Sequence, residues 1–242
     1  MPAQNPCVLI ATPTRGSPKM QYMQSVIDTI KDLAQRRIKS DFITQYGSLI
    51  ALQRSLLATS FLQHHEFTHL FMVDDDMMFA PDLCARLLAS DKLIVGTVAT
   101  KRELDVHKVE SALSRGSSLE QAFLAGYRWV VSLADDGTQN GPLRKVDILG
   151  FGAVLIKRQA LDLMIEKGAV SQYPNPPDPE KFYGFFAPVS DEWAAEDTAF
   201  YLRWRQCGGE IWALTDVPIF HVGDFAYGGR YSTLLQAPLG TR

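Results

Sequence analysis

The sequence predicts an α/β fold: one domain over residues 1–242 with a mostly parallel central sheet, helices on both faces and a mixed C-terminal half. Three observations carry this expectation. Short apolar runs alternate with segments of helical period through the first hundred residues. At 242 residues and 46% apolar composition, the chain can build a full core. No internal repeat and no compositional break divides it.

The elements follow in order. Cys7-Val-Leu-Ile-Ala11 reads as a short buried strand, and Thr12-Pro-Thr-Arg-Gly16 as the loop after it. Ser17 suits an N-cap with Pro18 at the first helical position. Met20, Met23, Ile27, Ile30 and Leu33 then recur at helical spacing. Phe42-Ile-Thr44 reads as a second strand, and Ser48 as the cap of a helix carrying Leu49, Leu52, Leu56 and Phe61. His69-Leu-Phe-Met-Val73 is a third strand, ending in Asp74-Asp-Asp76. Pro81 opens a short helix through Leu88, and Leu93 to Val98 is another buried strand.

The second half is less regular. Tyr127 to Leu133 and Lys145 to Ile156 read as strands, joined by the turn-rich Asp135 to Pro142. Arg158 to Glu166 reads as a helix. Tyr173 to Pro188 is too rich in proline for regular structure and too aromatic for a plain linker. A helix from Asp191 to Gln206 stops at Gly208-Gly209, and two short strands lead to His221. The glycines at 223, 228, 229 and 240 mark residues 223–242 as a flexible tail.

Composition narrows the function classes. No run of about 18 apolar residues is present to span a bilayer. The start, Met-Pro-Ala-Gln-Asn-Pro, lacks the basic and apolar regions of a signal peptide, which predicts a cytoplasmic protein with no integral membrane segment. Cys7, Cys84 and Cys207 are odd in number and widely spaced, so reduced thiols are expected. A net charge of −3 without a basic run argues against a general nucleic-acid binder.

The aspartate triplet is the strongest chemical signal. Carboxylates held together at a rigid strand end repel unless a cation offsets them. The C-terminal edge of a sheet is where α/β proteins bind ligands. In an extended chain Asp74 and Asp76 point the same way, toward one ion. Oxygen ligands with one imidazole, His221, suit Mn²⁺ or Mg²⁺, and open metal positions accept a diphosphate. Glu196-Asp197 is a second acidic site. Each motif also has a plainer explanation: a solvated acidic turn, a helix-dipole pair at Glu196-Asp197, a core histidine at His221. His64, His65, His69 and His107 lack ligand spacing and read as surface or structural. Trp193, Trp204 and Trp212 read as core. Tyr183, Phe185 and Phe186 are candidates to cover a sugar, and Lys101-Arg102 a cationic pair at the same sheet edge.

Five segments together resemble the GT-A nucleotide-sugar glycosyltransferases of the Asp-x-Asp type, in particular small bacterial and phage-like members. They are Val8 to Thr14, Phe71 to Phe79, Gly150 to Val154, Trp193 to Thr198 and Phe220 to Gly223, in the family's order across residues 7–223. The resemblance implies a Rossmann-like single domain, with a nucleotide-binding half (1–100) and an acceptor half (101–222). It implies a UDP- or GDP-sugar donor held through Mn²⁺ or Mg²⁺. Asp74 and Asp76 match the Asp-x-Asp positions, with Asp75 between them, and His221 a further metal ligand. Thr12, Pro13, Thr14 and Arg15 would lie near the nucleoside, and Gly152 near the donor sugar. Arg54-Ser55 stands where related chains carry Arg-Asn, so Arg54 or Arg230 would meet the diphosphate. Glu196 or Asp197 would position or deprotonate the acceptor hydroxyl, and Gly223 to Gly229 would close as a lid.

Other readings remain open at this level. A sugar-phosphate nucleotidyltransferase would want a glycine-rich basic loop after the first strand, and Thr12 to Gly16 has one glycine. A metal-dependent phosphohydrolase and a non-catalytic carbohydrate-binding protein are the others. The acceptor is open among glycan, lipid-linked sugar, protein and modified nucleic acid.

Overall fold

The computed structural model describes residues 5–175, 178–189 and 195–236. Its first half is the expected alternation: β1 (Cys7–Thr14), α1 (Met20–Gln35), β2 (Lys39–Tyr46), α2 (Ile50–Gln63), β3 (His69–Val73), β4 (Met77–Phe79), α3 (Leu83–Ala89) and β5 (Ile94–Thr97). There follow β6 (Thr100–Leu104), α4 (Val106–Ser114), α5 (Leu119–Gly126), β7 (Tyr127–Trp129), β8 (Val131–Leu133), β9 (Gln139–Asn140), β10 (Leu143–Leu149), β11 (Ala153–Lys157) and α6 (Arg158–Glu166). The chain ends with β12 (Gln172–Asn175), β13 (Asp178–Tyr183), α7 (Glu196–Gln206), β14 (Ile211–Leu214), β15 (Pro218–Val222), β16 (Ala226–Arg230) and α8 (Tyr231–Leu235).

The central sheet has nine strands in the order β2-β1-β3-β11-β5-β14-β10-β8, with β9 beside β10. β1 is parallel to β2 and β3, and β5 to β14. β11 is antiparallel to both β3 and β5, and β10 is antiparallel to β14, β8 and β9. Seven strands therefore run one way, and β10 and β11 run the other. Alternation along β1 sends Val8 and Ile10 to one face and Leu9 and Ala11 to the other. Both faces are buried: one core packs under α1 and α3, the other under α2, α6 and α7. That two-sided burial is why β1 and β3 read as continuous apolar runs.

Several expectations change. The segment Lys145 to Ile156 is two strands, because Phe151 and Gly152 turn; β5 and β14 then lie between β11 and β10 in the sheet. α1 begins at Met20, with Lys19 as an extended N-cap whose N–H bonds the Asp75 carbonyl. That tether, not a Ser17 cap, sets the helix start. α2 likewise begins at Ile50 after Leu49, without a side-chain cap. The proline-rich stretch contains the hairpin β12–β13. Its Phe185 and Phe186 are fully buried, Phe186 against Phe151 and Phe200, so they do not cover a sugar. Described helix α7 starts at Glu196, since Ala195 is extended. Asp191 and Trp193 lie outside the described residues, whereas Trp204 and Trp212 are core. The segment expected as a tail forms β16 and α8, with Tyr231 buried.

Candidate active site at the end of the third strand

The site is built where β3 stops. The chain leaves the sheet at Asp74, whose N–H bonds the Gly152 carbonyl, and turns through Asp75 and Asp76 into β4. The three carboxylates consequently fan out rather than alternate as in an extended chain. All three line one cavity of about 460 Å³, together with Pro13, Thr14, Arg15, Lys19, Arg54, Arg102, Glu196 and His221.

Asp74 faces α2 and α7. Arg54, whose side chain is 4% exposed, donates through Nη2 to Asp74 Oδ1 at 2.6 Å and through Nη1 to Glu196 Oε1 at 2.6 Å. One guanidinium thus joins the end of β3 to the start of α7. Its charge is held more firmly than usual: burial works against it, but the two carboxylates prevail. Burial raises the Asp74 carboxyl, with Arg54 pulling the other way. The Arg54 Nε is buried without a hydrogen-bond partner among the described residues, and the guanidinium lies 5.1 Å from the Phe151 ring.

Asp75 faces the loop after β1, and Thr14 Oγ1 donates to its Oδ2 at 2.5 Å. Gln53 fastens the same loop by donating to the carbonyls of Thr14, Gln45 and Gly47. Tyr46, at the end of β2, is 74% exposed beside Gly16.

Asp76 faces β15. Its Oδ2 lies 2.9 Å from His221 Nε2 and 3.5 Å from Arg102 Nη1. His221 Nδ1 lies 2.8 Å from the Thr100 carbonyl, which only accepts, so that nitrogen carries a proton. Nε2 then meets the carboxylate in one of two ways, as the second N–H of an imidazolium or by sharing a cation with it. Burial lowers the His221 pKa, but the Asp76 bond and charge outweigh it and raise the value. A histidine oriented by a backbone carbonyl, with its other nitrogen against a carboxylate, is a usual arrangement of metal-ligating groups.

Among the described residues, no three histidine, cysteine, aspartate or glutamate side chains converge into a ready-made metal cluster. The groups that could hold a cation are Asp76 and His221, with Asp74 and Asp75 on the same cavity wall. A carboxylate and an imidazole are donor types that fit Mn²⁺ or Mg²⁺, ions that keep positions for water and phosphate oxygens.

The remaining sequence candidates separate. Pro13, Thr14 and Arg15 line the cavity, whereas Thr12 is buried and pairs with the Tyr22 hydroxyl at 2.6 Å. Glu196 lines the cavity; Asp197 accepts from its neighbour Thr198 instead. Gly152 is core: a Cβ there would lie 3.0 Å from both Ala99 and Met77. Arg230 is exposed, in register with Pro218, and is not among the lining residues. Reasoning from sequence missed Lys19, Gln53 and Thr100. Gln53 had the most accessible signal, one position before Arg54 on the same helix. Thr100 acts through its backbone, which no side-chain pattern reveals.

No family model matches this chain, and no curated protein does. Solved structures do. A197 from STIV is 16% identical, with 90% of this chain and 86% of that one covered, at a TM-score of 0.49. GalNAc-T7, solved with UDP, GalNAc and Mn²⁺, is 10% identical at a TM-score of 0.49; the match covers 90% of this chain but only 43% of that one. A mutant Drosophila β1,4-galactosyltransferase 7, solved with manganese, UDP-Gal and xylobiose, is 11% identical with 98% and 76% covered, at a TM-score of 0.44. These likenesses concern the course of the chain. The roles of individual residues rest on the site's own geometry.

Proposed function

We propose that this protein is a metal-dependent glycosyltransferase that moves a sugar from a UDP- or GDP-sugar to an acceptor hydroxyl. One observation carries the reading: the Asp76–His221 pair, oriented by the Thr100 carbonyl, opens onto a cavity with three further carboxylates and several cations. A nucleoside diphosphate needs this combination. Its phosphates need positive charge, and a bridging cation needs carboxylate and imidazole.

Asp76 and His221 would hold Mn²⁺ or Mg²⁺, with Asp74 or Asp75 nearest the metal's open positions or the ribose. The bound ion would offset the charge that develops on the diphosphate leaving group. Lys19 and Arg15 line the β1 side of the cavity and would face phosphate oxygens; Arg102 does so beside Asp76. Arg54 is already engaged on both sides, so it organises the two carboxylates more than it meets phosphate. Glu196 has one oxygen fixed by Arg54 and lines the cavity, which favours it over Asp197 to orient or deprotonate the acceptor. Tyr46, exposed at the end of β2 beside Gly16, would be a candidate to meet a nucleobase. Among the described residues no helix is long and apolar enough to cross a membrane, and the acceptor stays open among glycan, lipid-linked sugar, protein and modified nucleic acid.

Calorimetry with a panel of UDP- and GDP-sugars, with and without Mn²⁺, tests this. Metal-dependent binding of at least one sugar nucleotide is expected, weakened about tenfold or more by Asp76→Ala. Absence of metal-dependent binding across the panel sinks the reading. Unchanged binding in Asp76→Ala removes Asp76 from the site.

A further inference from the structure

Of the three rings expected to cover a sugar, Phe185 and Phe186 are buried and Tyr183 packs against the core; a different pair of rings is better placed. Phe225 is 49% exposed, and its ring stacks on Tyr227 with centroids 3.9 Å apart and planes 27° from parallel. Tyr127 also meets Tyr227, edge-on with centroids 6.1 Å apart. The position of this stack follows from strand register. Tyr227 on β16 is directly opposite His221 on β15. Directly opposed residues of an antiparallel pair project from the same face of the sheet. The stack therefore stands beside the imidazole that faces Asp76.

Two further contacts fix that relation. Thr100 binds both sides: its carbonyl meets His221 Nδ1, and its hydroxyl donates to the Tyr227 carbonyl at 3.1 Å. Gly228 (φ 136°) follows Tyr227, and a Cβ there would lie 2.3 Å from the Ile219 carbonyl oxygen. Only glycine lets β16 lie so close to β15 with the tyrosine turned this way. The glycines expected as lid hinges thus lock a strand that carries aromatic rings.

We propose that Phe225 and Tyr227 form a platform for the acceptor, and that the acceptor's recognised unit is a sugar ring. A pyranose presents a face of polarised C–H groups, which suits the electron-rich face of an aromatic ring, and a rim of hydroxyls. Asp224, the residue before Phe225, would offer an acceptor for that rim. Nucleic acid suits this surface less well. Phosphates require free cations; Arg128 is paired with Glu103, and Arg102 is the cation that the donor's diphosphate would claim. The term "acceptor" rests on the transferase reading above; the sugar-binding surface does not.

The test titrates methyl glycosides of glucose, galactose, mannose and xylose, followed by saturation-transfer NMR, with and without UDP or GDP plus Mn²⁺. A single-stranded oligothymidylate is titrated in parallel. At least one glycoside is expected to bind wild type. Phe225→Ala should weaken it about tenfold and Phe225→Trp should restore it, with metal-dependent nucleotide binding equal in all three proteins. Phe225 is exposed, so neither substitution disturbs the core. The platform is overturned if no glycoside binds, if Phe225→Ala binds as wild type does, or if oligothymidylate alone depends on Phe225. Failure of nucleotide binding in wild type overturns the donor reading instead; glycoside binding without nucleotide then still decides the platform.

Discussion

Arg54 is where the two sides of the site meet. It is buried, both of its bonds run to carboxylates that line the cavity, and no other cation is hydrogen-bonded to Asp74 or Glu196 among the described residues. Removing one partner of a buried ion cluster leaves the others uncompensated. Arg54→Met is expected to destabilise the protein by about 3 kcal/mol in urea denaturation. Arg54→Lys should recover only part of this, because an ammonium lacks the planar fork that reaches both carboxylates. A loss within experimental error for Arg54→Met would show that Asp74 and Glu196 do not depend on it. Sequence marked Arg54 as a phosphate contact from a motif position; the two residues that claim it lie 20 and 142 positions away, which no local pattern encodes. His69 is a second residue-scale case. Burial, with the Lys157 charge adding to it, depresses its pKa from 6.5 to about 4. Between those values the unfolded chain binds a proton that the folded chain refuses, so stability falls as pH drops from about 6.5 to about 4. Allowing for partial solvent screening, the loss is about 2 kcal/mol. Chemical denaturation across that range should show the slope, and His69→Gln should reduce it. Equal slopes in the two proteins would assign the acid sensitivity elsewhere.

At the scale of elements, α5 has the strongest local signature and was not anticipated. Ser118 accepts from the Gln121 N–H, and the Gln121 side chain accepts from the Ser118 N–H, a reciprocal capping box. Ser118→Ala should cost about 1 kcal/mol, read as a shift in the urea midpoint with an unchanged slope; no shift would mean that tertiary packing alone holds the helix. The elements that sequence did reveal are those whose burial writes a pattern. β1 and β3 are buried on both faces, and α1 buries Tyr22, Val26, Thr29 and Leu33 at helical spacing. The elements it missed or misjudged depend on distant partners. β13 forms despite a proline because the Tyr183 N–H meets Thr59 of α2 and its neighbours Phe185 and Phe186 fill the core. β11 is inserted between β3 and β5 because residues 150–152 carry the chain sideways past β14 and β5 without reversing its direction. Periodicity shows that a segment is a strand; which strands it joins is decided by residues far along the chain.

On the scale of the whole molecule, the candidate site draws on nearly every layer. β1 supplies Thr14 and the loop after it Arg15, the turn before α1 supplies Lys19, α2 supplies Arg54, the end of β3 supplies the aspartates, and α7 and β15 supply Glu196 and His221. The Asp-x-Asp strand end and the C-terminal histidine were legible because they are chemical types set at a sheet edge, while the order in which they pair appears only once the chain is folded. A site assembled from so many elements couples ligand binding to global stability, since the unfolded chain has no such site to offer. Whatever binds only the folded form stabilises it by mass action, about 2.7 kcal/mol at a hundredfold excess over Kd. For a domain of this size that corresponds to a rise in Tm of roughly 5–10 °C. Mn²⁺ together with UDP or GDP should therefore raise the wild-type Tm by about this amount at saturating concentrations, and each alone by less. Asp76→Ala and His221→Ala should each abolish the part of the rise that depends on metal. Phe225→Ala should retain it, since that ring stands beside the proposed metal ligands and not among them. A metal-dependent rise that survives in both Asp76→Ala and His221→Ala would mean that the ion binds elsewhere. The Asp76–His221 contact would then be a structural ion pair that ties β15 to the end of β3.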